Sequence, residues 1–250
     1  MTMATIGAAF CIFAANLWLI QYAGNLTPFW DEWDAGAAAL LKPYVEGTFN
    51  LRALFHTANE HIIFFPRIVI LAIYKTAGYY DVVLQMIFNA LLLPITASVI
   101  VTYLSRPLDR PWKPYTLTLA VLINVIPFRW QNTLMGVGGT EFLLCCAFSI
   151  ASLAFLVRAE AWSPKWLVGF ALAIAAFLNA ASGILACLAG AFVSVAQILI
   201  ARRIGLREWS GVAILCVAAL VFIQAFVPHV EAHDANQSAP PTKQESDNDQ

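Results

Sequence analysis

The stretch from Trp166 to Ile200 runs for 35 residues without a single Asp, Glu, Lys, Arg or His. Apolar runs of 18 or more residues mark membrane crossings. As one straight helix this run would be about 50 Å long, far beyond the ~30 Å hydrocarbon core. It therefore reads as two crossings, with Asn179-Ala180-Ala181-Ser182-Gly183 as the turn between them. The rest of the chain agrees: 60% of residues are hydrophobic, 12% are charged, and the mean hydropathy is +0.73. Soluble domains carry about 25% charged residues. The chain is an integral membrane protein. Its net charge of −1 gives a nucleic-acid partner no electrostatic support. The five cysteines all lie in apolar segments, with neither a disulfide framework nor metal-ligand spacing.

Thr5 to Ala23 is the first expected span and reads as a retained anchor, since no basic region precedes it. Further spans are expected over Val82 to Leu104, Pro114 to Phe128, Glu141 to Val157 and Trp209 to Val227. The expected fold is an all-α integral membrane protein of about seven transmembrane helices, with interfacial juxtamembrane helices in the first outer loop. That transmembrane module covers 1–227, and a polar, disordered tail is expected over 228–250. The segment Ile62 to Tyr74 has the hydropathy of a span, but it holds about 13 apolar positions and Pro66-Arg67 lies inside it. Runs of 10–14 are more often interfacial or re-entrant.

Basic residues decide the orientation. With seven spans, the three short loops on the N-terminal side hold Arg106, Arg110, Lys113, Arg158, Lys165, Arg202, Arg203 and Arg207, which is 8 of the 14 basic residues. The expected N-terminus is cytoplasmic. Both polar loops, 24–81 and 129–140, are then outside.

These two loops carry the ionisable groups that can do chemistry. Asp31, Glu32 and Asp34 sit just past the first span, beside Trp30 and Trp33. A carboxylate there can act as a general base or hold a divalent cation. The plainer reading is an acidic loop capping the short Ala/Leu-rich helix that follows. His56, Asn59, Glu60 and His61 form a second cluster; read as helix, His56 and Glu60 share a face at i, i+4. The spacing is not H-E-x-x-H, so a zinc protease is rejected. Arg67 can meet a lipid phosphate at headgroup depth or simply snorkel, and Lys75 reads as snorkelling. Arg129, Gln131 and Asn132 open the second loop, ahead of Gly136, Gly138 and Gly139; they can bind a sugar or phosphate, or form a polar turn. Glu141, at the mouth of the next span, reads as that helix's N-terminal carboxylate.

This layout resembles the membrane-embedded glycosyltransferases of the GT-C superfamily, such as protein O-mannosyltransferases and lipid A aminoarabinose transferases. Asp31-Glu32 is similar to the superfamily's first-loop acidic motif. The run Asn59-Glu60-His61-Ile62-Ile63-Phe64-Phe65-Pro66-Arg67 is similar to the segment entering its juxtamembrane helix. Arg129-Trp130-Gln131-Asn132 stands where some branches carry a second acidic motif. The likeness implies sugar transfer from a polyprenyl-phosphate donor to an acceptor at the outer face of a bacterial inner membrane. Asp31 would be the base, assisted by Glu32 or Asp34, with a divalent cation at Asp31 as a cofactor in some members. His56, Asn59, Glu60, His61, Arg67, Arg129, Gln131 and Asn132 would line the donor phosphate and sugar. The implied partners are the lipid-linked donor, an acceptor, membrane lipids and a partner subunit. Members usually continue into further spans and an outer domain, so the alternative is a non-catalytic or truncated relative acting as an assembly partner. A transporter is a weaker third reading, because no second half repeats the first.

Overall fold

In the computed structural model, residues 2–58, 61–201 and 205–238 are described. The fold is helical. Five helices are long and apolar enough to cross a bilayer: α1 (Thr2–Ala23), α4 (Val82–Leu104), α7 (Gly136–Leu156), α9 (Ile184–Ala201) and α10 (Leu206–Ser238). Two other expected crossings are occupied by the 14-residue helices α5 (Trp112–Val125) and α8 (Pro164–Phe177). Each is about 21 Å long. The remaining helices are α2 (Lys42–Val45), α3 (Phe64–Ala77) and α6 (Trp130–Leu134). α10 extends through 228–238, where a disordered tail is expected from composition. Arg202, Arg203 and 239–250 lie outside the described residues.

Local chemistry sets the helix limits. The Asp81 carboxylate accepts from the Leu84 N–H at 2.9 Å and caps α4. Ser163 caps α8, with Pro164 in the first turn. Gly78 ends α3 at φ +80, a left-handed conformation that a side chain would oppose. The expected turn at 179–183 is present and separates α8 from α9.

α8, α9 and α10 pack with α7 around Leu156, Trp166, Ala173, Cys187 and Leu215. Small residues at Ala173, Ala186 and Ala191 let these backbones approach closely. On the other side, α1 and α4 meet around Ile20, Met86 and Ala90. α4 and α7 are also joined by buried polar groups. Gln85 Nε2 donates to Thr140 Oγ1 at 3.1 Å, Thr140 Oγ1 donates to Asn89 Oδ1 at 2.8 Å, and Asn89 Nδ2 donates to the Gly136 carbonyl at 2.7 Å. Within a bilayer such interhelical hydrogen bonds are worth about 0.6–2 kcal/mol each.

The two ends of the bundle differ. At one end Arg158 and Arg106 both lie over the Tyr103 ring, and Arg207 Nε donates to the Ala161 carbonyl at 2.8 Å. The other, polar end gathers the first long loop, the 126–135 connection and the α8–α9 turn. The first loop has its own core of Ala35, Leu40, Leu41, Leu54, Ile63 and Ile70, closed by Val137 of α7. In it, α3 is tied to the bundle by the Phe64 N–H donating to the Leu178 carbonyl at 2.9 Å.

Candidate functional site at the polar end

A cavity of about 440 Å³ opens between the first loop and the start of α7. Its ionisable lining is Asp31, His61 and Glu141, and Met135, Gly138 and Phe142 are among its other lining residues. Three separate chain segments supply the three groups, and each is held by a different local device.

Asp31 opens a π-helical segment, Glu32–Leu41, that leads into α2. Trp30, just before it, is in the left-handed region at φ +47 and is stacked on Phe29 at 4.9 Å. A bulky residue in that region stores about 1–3 kcal/mol of strain. The surroundings that hold it there also direct the next two side chains. Asp31 remains exposed and lines the cavity. Glu32 turns inward and is fully buried. Its Oε2 accepts from the Phe29 N–H at 2.8 Å, and its Oε1 from the N–H groups of Gly136 at 2.5 Å and Val137 at 3.4 Å. Gly136 and Val137 are the first residues of α7, so Glu32 caps that helix from 104 positions away. This corrects the expectation for Glu141, which lies beyond the first turn and faces the cavity. Burial raises the Glu32 carboxyl above its ordinary 4.5, outweighing the three backbone donors that pull it down. Burial first, and the Glu32 charge second, hold the Tyr80 phenol well above its usual range.

His61 is placed by a short antiparallel ladder, Thr57–Ala58 with His61–Ile62, in the register Thr57↔Ile62 and Ala58↔His61. Thr57, Ala58, His61 and Ile62 are therefore extended, where a shared i, i+4 face for His56 and Glu60 would need helix; Thr and Ile favour extended backbone, and Ile63 starts the turn into α3. Asn59 and Glu60 lie outside the described residues. His61 Nδ1 accepts from the Ala181 N–H at 3.3 Å, which leaves the ring proton on Nε2 in the neutral imidazole. Nε2 stands 3.4 Å from Glu141 Oε1. Phe142 meets the imidazole edge-on at 6.3 Å between centroids.

The other expected site residues are elsewhere. Asp34 is exposed and does not line the cavity. The His56 side chain is exposed, while its carbonyl is drawn inward. Arg67 is fully buried, and its Nη1 donates to the carbonyls of His56 and, at 3.4 Å, Leu54. Among the described residues its Nε and Nη2 have no hydrogen-bond partner. Burial lowers the guanidinium to about 10, so it stays charged at neutral pH. Arg67 thus fastens the turn at Leu51–Phe55 to α3 and steadies the ladder that carries His61, and it does not line the Asp31 cavity. Arg67→Ala should cost about 1–3 kcal/mol of stability for each buried carbonyl it leaves without a donor. Denaturant unfolding in detergent measures the loss, and amide exchange at 54–58 should rise with it. Arg129 and Asn132 are half-buried and Gln131 is exposed; none of the three lines the Asp31 cavity.

Two contributors were not legible beforehand. Glu141 becomes a cavity wall because its helix starts at Gly136, and Ala181 reaches His61 because the α8–α9 turn lies at the same end of the bundle. Among the described residues no group of three His, Cys, Asp or Glu side chains converges in metal-binding geometry. The donor set at Asp31 therefore does not fit a protein-held cation. No protein-family profile, curated protein or solved structure matches this chain.

Proposed function

We propose that this chain is a membrane glycosyltransferase resembling the GT-C superfamily, with seven crossings, a cytoplasmic N-terminus and the polar end outside. In this reading it moves a sugar from a polyprenyl-phosphate donor to an acceptor hydroxyl or amine. The observation that carries the reading is the convergence of Asp31, His61 and Glu141 on one cavity of sugar-binding size at the polar end. Asp31, exposed at the rim, accepts the acceptor's proton as the acceptor atom bonds to the anomeric carbon. The bond from that carbon to the lipid phosphate breaks, and the bonding electrons leave with the phosphate. His61 Nε2–H donates to, and Glu141 accepts from, the hydroxyls of the sugar, fixing its orientation. The activity needs neither Glu32 nor Arg67 at the reacting atoms; they hold the loop that presents Asp31 and His61.

The test is transfer of labelled sugar from a polyprenyl-phosphate donor in membranes expressing the full chain, wild type beside Asp31→Asn. Asp31→Asn should lower the rate at least ~100-fold, the usual range for loss of a general base, with expression and folding unchanged. Undiminished transfer by Asp31→Asn would remove Asp31 as the base. Lack of transfer by well-folded wild type would favour the alternative, an assembly partner without its own activity. The burial of Glu32 and Arg67, two of the expected site residues, is the observation on that side.

A further inference from the structure

We propose that the Asp31–Glu141 cavity binds a protonated amine, with Glu141 as its counter-ion. This deepens the transfer reading, on which it rests for the source of the amine, and names the chemical class that enters the same cavity. Two carboxylates line the cavity, and no Lys or Arg does among the described residues. Arg67 is fully buried against the Leu54 and His56 carbonyls, and Arg129 lines other clefts. His61 Nδ1 accepts from the Ala181 N–H. A nitrogen that accepts in this way cannot carry a proton as well, so in this geometry the imidazole adds no positive charge.

The two acids differ in depth. Asp31 is exposed at the rim, where water screens it. Glu141 is only 6% exposed. Its Oε1 is fully covered and has no hydrogen-bond partner among the described residues, with His61 Nε2 standing 3.4 Å away. A covered carboxylate is costly unless a cation and hydrogen bonds compensate it. A primary ammonium supplies a full charge and three N–H donors, whereas a hydroxyl supplies one donor and no charge. Phe142 and Met135, also in the lining, are polarisable neighbours that suit an organic cation. A divalent metal ion asks for six or more oxygen ligands, and among the described residues no third acid joins these two. The same charge balance bears on transfer. A phosphate-linked donor approaching two carboxylates is repelled. An ammonium carried by the sugar or by the acceptor offsets that repulsion where the cavity supplies no cation.

The test uses the purified full chain in a polyoxyethylene detergent, which has no sugar headgroup to compete. Isothermal titration calorimetry at neutral pH compares glucosamine, glucose, glucuronate, ethanolamine and magnesium chloride. Glucosamine should bind at least ~10-fold more tightly than glucose, the size of one charge-assisted hydrogen bond. Glucuronate should bind more weakly than either, and magnesium should not compete. Glu141→Gln should erase the preference for glucosamine over glucose, and Asp31→Asn should keep most of it. Where Glu141→Gln does not fold, the wild-type ranking decides. Ethanolamine binding as tightly as glucosamine would assign the amine to the acceptor; weaker ethanolamine binding would assign it to the sugar. Equal binding of glucosamine and glucose by wild type, an unchanged preference in Glu141→Gln, or displacement of glucosamine by magnesium would each overturn the proposal. Binding is read without turnover, so failure of the ammonium preference and failure of sugar transfer are separate outcomes.

Discussion

Glu32→Ala should lower the stability of the folded chain by about 2–6 kcal/mol, because it strips the acceptor from two buried backbone donors at about 1–3 kcal/mol each. The side chain is fully buried and accepts from three backbone N–H groups, two of them at the start of α7. Alanine leaves the Gly136 and Val137 donors without an acceptor at the buried start of α7, and each such group costs about 1–3 kcal/mol. It also releases the first loop from α7, so Asp31 loses its position together with the stability. Thermal unfolding in detergent measures the loss; a change below about 0.5 kcal/mol, as at a neutral surface site, would show that the cap contributes nothing. The pH dependence has a definite sign. The folded state holds the Glu32 proton more tightly than the unfolded chain does, because burial raises the carboxyl above 4.5. Its contribution is therefore full below pH 4.5 and is lost as pH rises through the folded value. Glu32→Gln cannot ionise, so the difference in stability between wild type and Glu32→Gln should shrink with rising pH across that window.

Glu141→Gln and His61→Gln should each reduce sugar transfer about 100-fold, and the double variant should be little worse than either alone. The reason is geometric. The Ala181 N–H occupies His61 Nδ1, so the Nε2 proton faces Glu141 across 3.4 Å. The two side chains present one donor and one acceptor as a unit, and groups that act as a unit lose their effects non-additively. Initial rates at saturating and limiting donor separate binding from the chemical step. Effects that simply multiply would mean that the two residues work independently. Full activity in Glu141→Gln would remove this pair from the site.

The legibility of the fold followed the strength of the apolar signal. The long runs at 82–104 and 166–200 identified their helices and the 179–183 turn, because a charge-free run of that length has only one compatible solvent. α5 and α8, at 14 residues each, have nearly the lengths expected from Pro114 to Phe128 and from Trp166 to the 179–183 turn, and Pro127 and Asn179 follow their ends. The loop chemistry was legible in kind and not in assignment. Asp31, Glu32 and Asp34 are three similar acids within four positions, and sequence alone cannot distinguish them. The left-handed turn at Trp30 sends Glu32 inward and leaves Asp31 at the cavity. Arg67 offered the same charge as any interfacial cation, yet packing against the Leu51–Phe55 turn made it an internal fastener.

Composition and hydrophobic pattern by themselves determined the membrane environment, the helical class and the two loops that carry the ionisable groups, because the bilayer leaves a chain this apolar few alternatives. Tertiary structure alone decided which of those groups meet. The contact between Glu32 and Gly136 spans 104 residues and that between His61 and Ala181 spans 120. Pairings at that distance are set by how the helices pack, and nothing in the local order of residues encodes them.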